Sequence, residues 1–223
     1  MAKIYWAGQS CFQISVSNGK DHSAEIVIDP FNEETGLKVP NLSADIILTT
    51  HDHHDHNNVK AVKPAGQVAP FLISGPGEYE VKGVFVQGIP AFHDDKEGKE
   101  RGKNTIYIFE AEDIKFCHMG DFGQKQLTDE QLEKIDSVDI LMVPVGGTYT
   151  IDSSEAQKII RQIEPKIVIP MHYALPKLKV ELEDIAKFLK AMGKDKITPV
   201  DKLTIKSSAL PKEGAMDVIV LQP

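Results

Sequence analysis

"TTHDHHDHNNV", residues 49–59, places four of the chain's eight histidines within six positions, with two aspartates between them. Directly before it runs "ADIILTT" (44–50), a nearly continuous apolar run of the kind expected from a β-strand covered on both faces. In an extended segment residues i and i+2 share a side. His51 and His53 are therefore expected to converge on one ion, with Asp52 and His54 pointing away. If the chain then turns into a helix at Asn57, Asp55 and His56 are presented together and can serve a second ion. Imidazoles and carboxylates without thiolates suit Zn²⁺, Mn²⁺ or Fe²⁺ at a catalytic rather than a structural site. A metal-scavenging tract or a tag has a similar composition, but this cluster is internal and flanked by strand and helix signals.

Outward from the cluster, the first half of the chain reads as strands and turns. "KIYWAGQSCFQISV" and "AEIVIDP" are β-rich runs separated by "SNGKD", which predicts a hairpin. "NNVKAVK" predicts a short helix capped by Asn57 and stopped before Pro64. "FLISGPGEYEVKGVFVQGIPAF" is turn-punctuated β structure, and "NTIYIFEAEDIKFCHMGD" reads as two strands joined at Glu112-Asp113. The period then changes. Thr128 with Gln131 forms a capping-box signature for a helix near 129–135, and Asp152 with Glu155 caps a helix ending before Pro165. "VDILMVPV" and "KIVIPMHY" are buried strands. In a last helix Leu178, Leu182, Ile185, Leu189 and Met192 share one face, with Gly193 placed to end it. "AMDVIVLQ" is a closing strand. A β-rich half followed by a β-α-β-α half is satisfied by two sheets packed face to face with helices outside, as one domain over residues 1–223.

Two ions need more ligands than the cluster offers. His93 opens the charged loop "HDDKEGKERGKN", "HMGD" offers His118 and Asp121, and "PMHY" offers His172. All four follow apolar runs, so strand ends can gather them at one rim. His22, in the "NGKDH" turn, reads as a surface residue.

Composition narrows the function. The formal net charge of −8 weighs against a dedicated nucleic-acid binder. The two cysteines, Cys11 and Cys117, lie in apolar runs and read as buried, reduced thiols. No apolar run approaches the roughly 20 residues that span a bilayer, and the N-terminal residues lack a signal pattern, so a soluble cytoplasmic protein without membrane insertion is expected.

These motifs carry a resemblance. His51-x-His53-x-Asp55-His56 resembles the H-x-H-x-D-H signature of the metallo-β-lactamase superfamily. "GQSCF", "IVIDPF", "GPGEYEV", "HMGDFG", "VPVGGTYTID" and "IPMHY" look like a bacterial and archaeal group of metal-dependent hydrolases. That group is related to the ascorbate-6-phosphate lactonases and, more distantly, to the N-acyl phosphatidylethanolamine phospholipases. The resemblance implies a four-layer αββα sandwich of two mixed sheets with a dinuclear site at one edge. It also implies that Asp121 bridges two metals, that His93 completes the first ion's set with His51 and His53, and that Asp55, His56 and His172 hold the second. His118 is then a surplus neighbour, a proton donor to the leaving group or a replacement for His93. Where relatives commonly have histidine this chain has Gln9, which cannot exchange protons. Asp29, in "IDP", is placed to orient a ligand imidazole or to form a turn.

The expected activity is attack of a metal-bound hydroxide on a small ester, lactone or phosphodiester, with Asp55 holding the nucleophile in line and two divalent ions, zinc before manganese or iron, as cofactors. An anionic small molecule is the expected partner, with a homo-oligomer possible. "VGGTYT" (145–150) offers backbone N–H groups to an anion, and Arg101 and Lys103 offer charge if their loop folds over the site. A nuclease of the same superfamily and a non-enzymatic metal-binding or regulatory protein are the competing readings.

Overall fold

The computed structural model describes residues 1–17 and 23–223. Most of the "SNGKD" turn and His22 lie outside the described residues. In chain order the strands are β1 (Ala2–Gly8), β2 (Cys11–Ser17), β3 (Ser23–Ile28), β4 (Ser43–Ala44), β5 (Ile46–Thr49), β6 (Lys63–Pro64), β7 (Phe71–Ser74), β8 (Gly77–Val81), β9 (Val84–Phe92), β10 (Lys103–Ala111), β11 (Ile114–His118), β12 (Ile140–Pro144), β13 (Ile167–Met171), β14 (Leu203–Ile205) and β15 (Asp217–Val218). The helices are α1 (Asp129–Ile135), α2 (Ser153–Ile163) and α3 (Ile185–Ala191).

Two mixed sheets form, in the orders β14-β1-β2-β3-β5-β7 and β15-β13-β12-β11-β10-β9-β8. In the first, the pairings are antiparallel out to β3 and parallel from β3 through β5 to β7. The second is parallel from β15 to β11 and antiparallel from β11 to β8. The parallel pairs bring the carboxyl ends of β3 and β5 to one edge of the first sheet, and those of β11, β12 and β13 to one edge of the second. That edge is where open α/β sheets bind ligands.

Alternation along the strands assigns the faces. Ile26, Ile28, Ile46 and Leu48 point into the main core shared with the second sheet, while Val27 and Ile47, one residue out of phase, join a smaller cluster with Cys11, Phe31 and Leu42. Burial of each such aliphatic side chain stabilises the fold by about 1.5–3 kcal/mol. On the second sheet, β12 and β13 are buried at every position and covered by α2, whose Ala156, Ile159, Ile160 and Ile163 keep helical spacing in the main core. Both capping boxes form as the sequence predicts, at Thr128/Gln131 and Asp152/Glu155.

The structure departs from the sequence reading in four places. The helix expected at Asn57 is a single 3₁₀ turn, Val59–Ala61, preceded by Asn58 with no side-chain cap. With the β4/β6 pair and the 31–42 segment, it covers the outer face of the first sheet, a layer without an α-helix, unlike the one opposite. The last helix starts at Ile185, capped by Asp184, and leaves Leu178 and Leu182 outside. The backbone there bonds elsewhere: Lys179 N–H donates to Thr35 O (2.9 Å) and Glu183 N–H to Gly146 O (2.8 Å). The closing strand shortens to β15 plus a bridge between Val200 and Leu221, and β14, which no sequence signal marked, pairs with β1.

Candidate metal centre

The carboxyl ends of the strands deliver the site. Asp29 follows β3, His51–His56 follow β5, His93 follows β9, Asp121 lies three residues beyond β11, and His172 follows β13. The "HDHHDH" segment is a turn rather than an extended strand, closed by His56 N–H donating to His53 O (2.9 Å) and Asn57 N–H to the same oxygen (3.1 Å). His51 and His53 still meet, with Nε2 of the first 3.0 Å from Nδ1 of the second, but the turn brings them together instead of strand alternation. Asp52 is exposed and accepts from the Asn57 amide, while exposed His54 stands 3.9 Å from Glu34 and from Asp55.

Three sets of donor atoms lie within 4.8 Å of one another: His51/His53/His93, His51/His56/Asp121 and Asp55/His56/His172. Asp121 sits between them. Its Oδ2 is 3.2 Å from His56 Nε2, 3.4 Å from His93 Nε2 and 3.3 Å from His172 Nε2. Its Oδ1 accepts from Ser10 Oγ (2.9 Å), and its N–H donates to Asn104 Oδ1 (3.1 Å), so the carboxylate has one settled orientation. His56 Nε2 is buried without a hydrogen bond of sound geometry. A buried imidazole nitrogen left in this state beside a carboxylate fits a divalent ion, and the all-N/O donor set suits a catalytic one.

The imidazoles are oriented from behind. His56 Nδ1 is 2.9 Å from Asp29 Oδ2, with both side chains fully buried. Asp29 also accepts from Thr50 N–H (2.8 Å) and Thr50 Oγ1 (2.7 Å), and Thr50 Oγ1 is 3.0 Å from His51 Nδ1. One carboxylate thus fixes two ligand candidates, the arrangement that metal-binding histidines ordinarily show. Asp29 therefore orients the imidazole of a candidate ligand, and its φ of 47° gives it a turn conformation as well.

Charge follows the same pattern. Burial would push His56 down, but Asp121 and Asp29 outweigh it and hold the imidazole well above its ordinary value. Burial would raise Asp121, and His172 and His56 instead hold it well below the carboxylate range. His51 is pushed down by burial and then by His56, His53 by burial and then by His93, and His172 by burial against the pull of Asp121. Neutral imidazole is the form that binds metal, which His51, His53 and His172 favour, whereas His56 would release a proton on binding an ion.

His118, for which a proton-donor or ligand role was expected, is held by the backbone. Its Nε2 is 2.9 Å from Ser10 O, and its Nδ1 accepts from Gly120 N–H (3.1 Å), so both ring nitrogens are engaged and neither joins the donor sets. Gly120, at φ 58°, makes the turn to Asp121, and a Cβ there would lie 2.4 Å from Asn104 Oδ1. Gly146 lets the chain after β12 lie against His172, whose carbonyl oxygen would be 2.1 Å from a Cβ. Gln9 is buried with its side-chain amide unpartnered among the described residues, and its backbone carbonyl accepts from His172 N–H (3.1 Å). Sequence reasoning missed Ser10, Thr50 and Asn104. Serine, threonine and asparagine beside a strand end carry no signal of their own.

The cluster opens into a cavity of about 360 Å³ whose walls include Asp55, His93, Asp121, His172, Arg101 and Tyr149. Arg101 also lines a neighbouring cleft of about 800 Å³, together with His51, His53, Leu72 and Lys103. Lys103 is thus on the cleft and absent from the smaller cavity. In "VGGTYT", Tyr149 N–H and Thr150 N–H both donate to Gly147 O (2.6 and 3.3 Å), so these groups close the turn instead of facing an anion. No helix among the described residues is long and apolar enough to cross a membrane.

Comparison with known proteins agrees with this geometry. Residues 3–172 match the Beta-lactamase superfamily domain. A UPF0173 metal-dependent hydrolase of Thermococcus onnurineus is 31% identical over 216 residues, covering 85% of this chain and 92% of that protein. One of the same designation from Thermoplasma volcanium is 32% identical over 196 residues, covering 77% and 83%. A metallo-beta-lactamase superfamily structure from Thermotoga maritima superposes with a TM-score of 0.76 at 36% identity, covering all of both chains. The two mixed sheets, the strand-end cluster and these relatives together show that the chain belongs to the metallo-β-lactamase superfamily, among the UPF0173 metal-dependent hydrolases.

Proposed function

We propose that the cluster is a dinuclear hydrolytic centre acting on a small ester, lactone or phosphodiester. His51, His53 and His93 would hold one divalent ion, and Asp55, His56 and His172 the other, with Asp121 between them. The observation that carries this reading is the single Asp121 oxygen with three imidazole nitrogens at 3.2–3.4 Å. Zinc suits the donors best, and manganese or iron fits the same set. Bound ions would supply Lewis acidity and a water activated near neutral pH.

The chain's own residues do the rest. Asp29 and Thr50 hold the His56 and His51 rings, and Ser10 holds Asp121. Asp55, half-buried at the mouth with Oδ2 3.6 Å from His56 Nε2, is placed to accept a hydrogen bond from the attacking water as well as to bind metal. His118 serves as a positioning residue, pinning the end of β11 to Ser10 so that Asp121 arrives correctly. The relation to ascorbate-6-phosphate lactonases that the motif resemblance implies for this hydrolase group supports a lactone or ester centre. A cavity of about 360 Å³ and a net charge of −8 favour a small molecule over a nucleic acid.

The test is elemental analysis after reconstitution with zinc or manganese, followed by a panel of phosphodiesters, lactones and phosphorylated sugars. About two ions per chain and turnover of one class are expected. Metal content near zero would refute the centre. Full metal with no turnover would favour a binding or regulatory protein.

A further inference from the structure

The loop that follows His93 is dense in charge, yet its charges are almost all committed. Asp94 accepts from the backbone N–H groups of Lys96, Gly98, Glu100 and Arg101 (2.7–3.0 Å), which fixes the loop's path. Asp95 pairs with Lys125 at 2.7 Å, Lys96 with Glu100, and Glu97 with Lys99 at 3.4 Å. Asp94 is spent on those backbone groups, so within 94–101 the one charged side chain left with neither an ionic partner nor a hydrogen bond among the described residues is Arg101.

Its guanidinium lies over the Tyr149 ring, 4.4 Å from the centroid. Stacking of this kind holds the planar fork while leaving its N–H edge free for an oxyanion. Arg101 is half-buried and lines both the cavity over the cluster and the larger cleft beside it. The cleft's walls also include Val59, Leu72 and Pro76.

We propose that Arg101, positioned by Asp94 and Tyr149, is the anion-recognition residue of the hydrolytic site. The substrate then carries a carboxylate or phosphate a few bonds from the scissile centre and extends an uncharged remainder into the cleft. This rests on the hydrolytic reading above and adds the substrate class. Arginine fits either oxyanion through paired N–H donors.

Two esters with the same leaving group separate the possibilities: 4-nitrophenyl hemisuccinate, which is anionic, and 4-nitrophenyl butyrate, which is neutral. In the metal-loaded protein, Arg101→Ala should lower the hemisuccinate-to-butyrate ratio of kcat/KM by about 10- to 100-fold, chiefly through KM. Arg101→Lys should recover part of it, and Tyr149→Ala should lower the ratio less than Arg101→Ala does. Metal content should match the wild type in all three. An unchanged ratio in Arg101→Ala would overturn the proposal. If the metal-loaded wild type turns over neither ester, the hydrolytic reading is in question instead. Calorimetric titration of metal-free protein with inorganic phosphate then decides Arg101 alone: weaker binding in Arg101→Ala supports it, and equal binding overturns it.

Discussion

The two sheets furnish the candidate metal centre in different ways. The first contributes a contiguous turn, His51 to His56, plus Asp29 from the neighbouring strand end, beneath an outer layer of 3₁₀ turns, the 31–42 segment and the short β4/β6 pair. The second contributes isolated residues, His93, Asp121 and His172, from three strand ends on a sheet backed by α2. His53 is exposed and His51 half-buried, whereas His93, Asp121 and His172 are all buried. One side therefore offers a local set of candidate ligands that runs from exposed His53 to fully buried His56. The other offers positions that exist only after the whole sheet has formed, and these set the centre's geometry.

Changes on the second sheet should have the larger effect. Asp121→Asn removes the charge shared by three imidazoles and is expected to abolish measurable hydrolysis and to leave about one ion per chain or fewer by elemental analysis. His53→Ala should also remove the first ion, while the melting temperature of the metal-free protein stays within about 2 °C of wild type, because an exposed side chain is lost. If His53→Ala unfolds the protein and Asp121→Asn leaves the metal content intact, the contrast between the sheets is wrong. Asp29→Asn comes next. It weakens the hold on His56 and on Thr50, and about a 10- to 100-fold loss in metal affinity is expected from chelator competition.

His118 sharpens the contrast, since it belongs to the second sheet but is held by backbone. His118→Gln should retain both ions and cost about 1–3 kcal/mol in denaturant unfolding, since a buried hydrogen-bonded group is disturbed. Loss of one ion in that variant would return His118 to the ligand set.

The same division explains what could be read from the sequence. The first-sheet candidate ligands stood out because their spacing is a property of six consecutive residues. Asp121 and His172 were visible as polar residues at the ends of apolar runs, and the resemblance gave His93 a place over His118. Nothing local could show that His118 spends both nitrogens on Ser10 and Gly120, because Ser10 is more than a hundred residues away. The apolar runs of β3 and β5 and the two capping boxes were legible for a similar reason, being short-range. The 174–183 segment was not. Its apolar spacing imitates a helix, but its backbone is claimed by Thr35 and Gly146, and that competition is tertiary. Arg101 and the "VGGTYT" turn were each noticed, yet their meeting over one cavity follows from the packing of two distant loops.

The smallest effect expected uses one buried thiol on each side. Cys11 lies in the satellite cluster beneath the layer without an α-helix, and Cys117 in the main core. Burial pushes both thiols well above their ordinary value, with Asp29 adding to the rise at Cys11. Each is therefore protonated in the folded chain at pH values where the unfolded chain is already thiolate. The unfolded state releases the proton first, so stability should fall as pH rises above about 9. At pH 8 alkylation by iodoacetamide requires opening, and its rate reports how often each region opens. The cover without an α-helix should let Cys11 react faster than Cys117, and metal loading should slow Cys11 more, because Asp29 ties its cluster to His56. Equal rates, read by mass spectrometry of the two cysteine peptides, would show that the two sides open as one unit and that the asymmetry of the cover has no dynamic consequence.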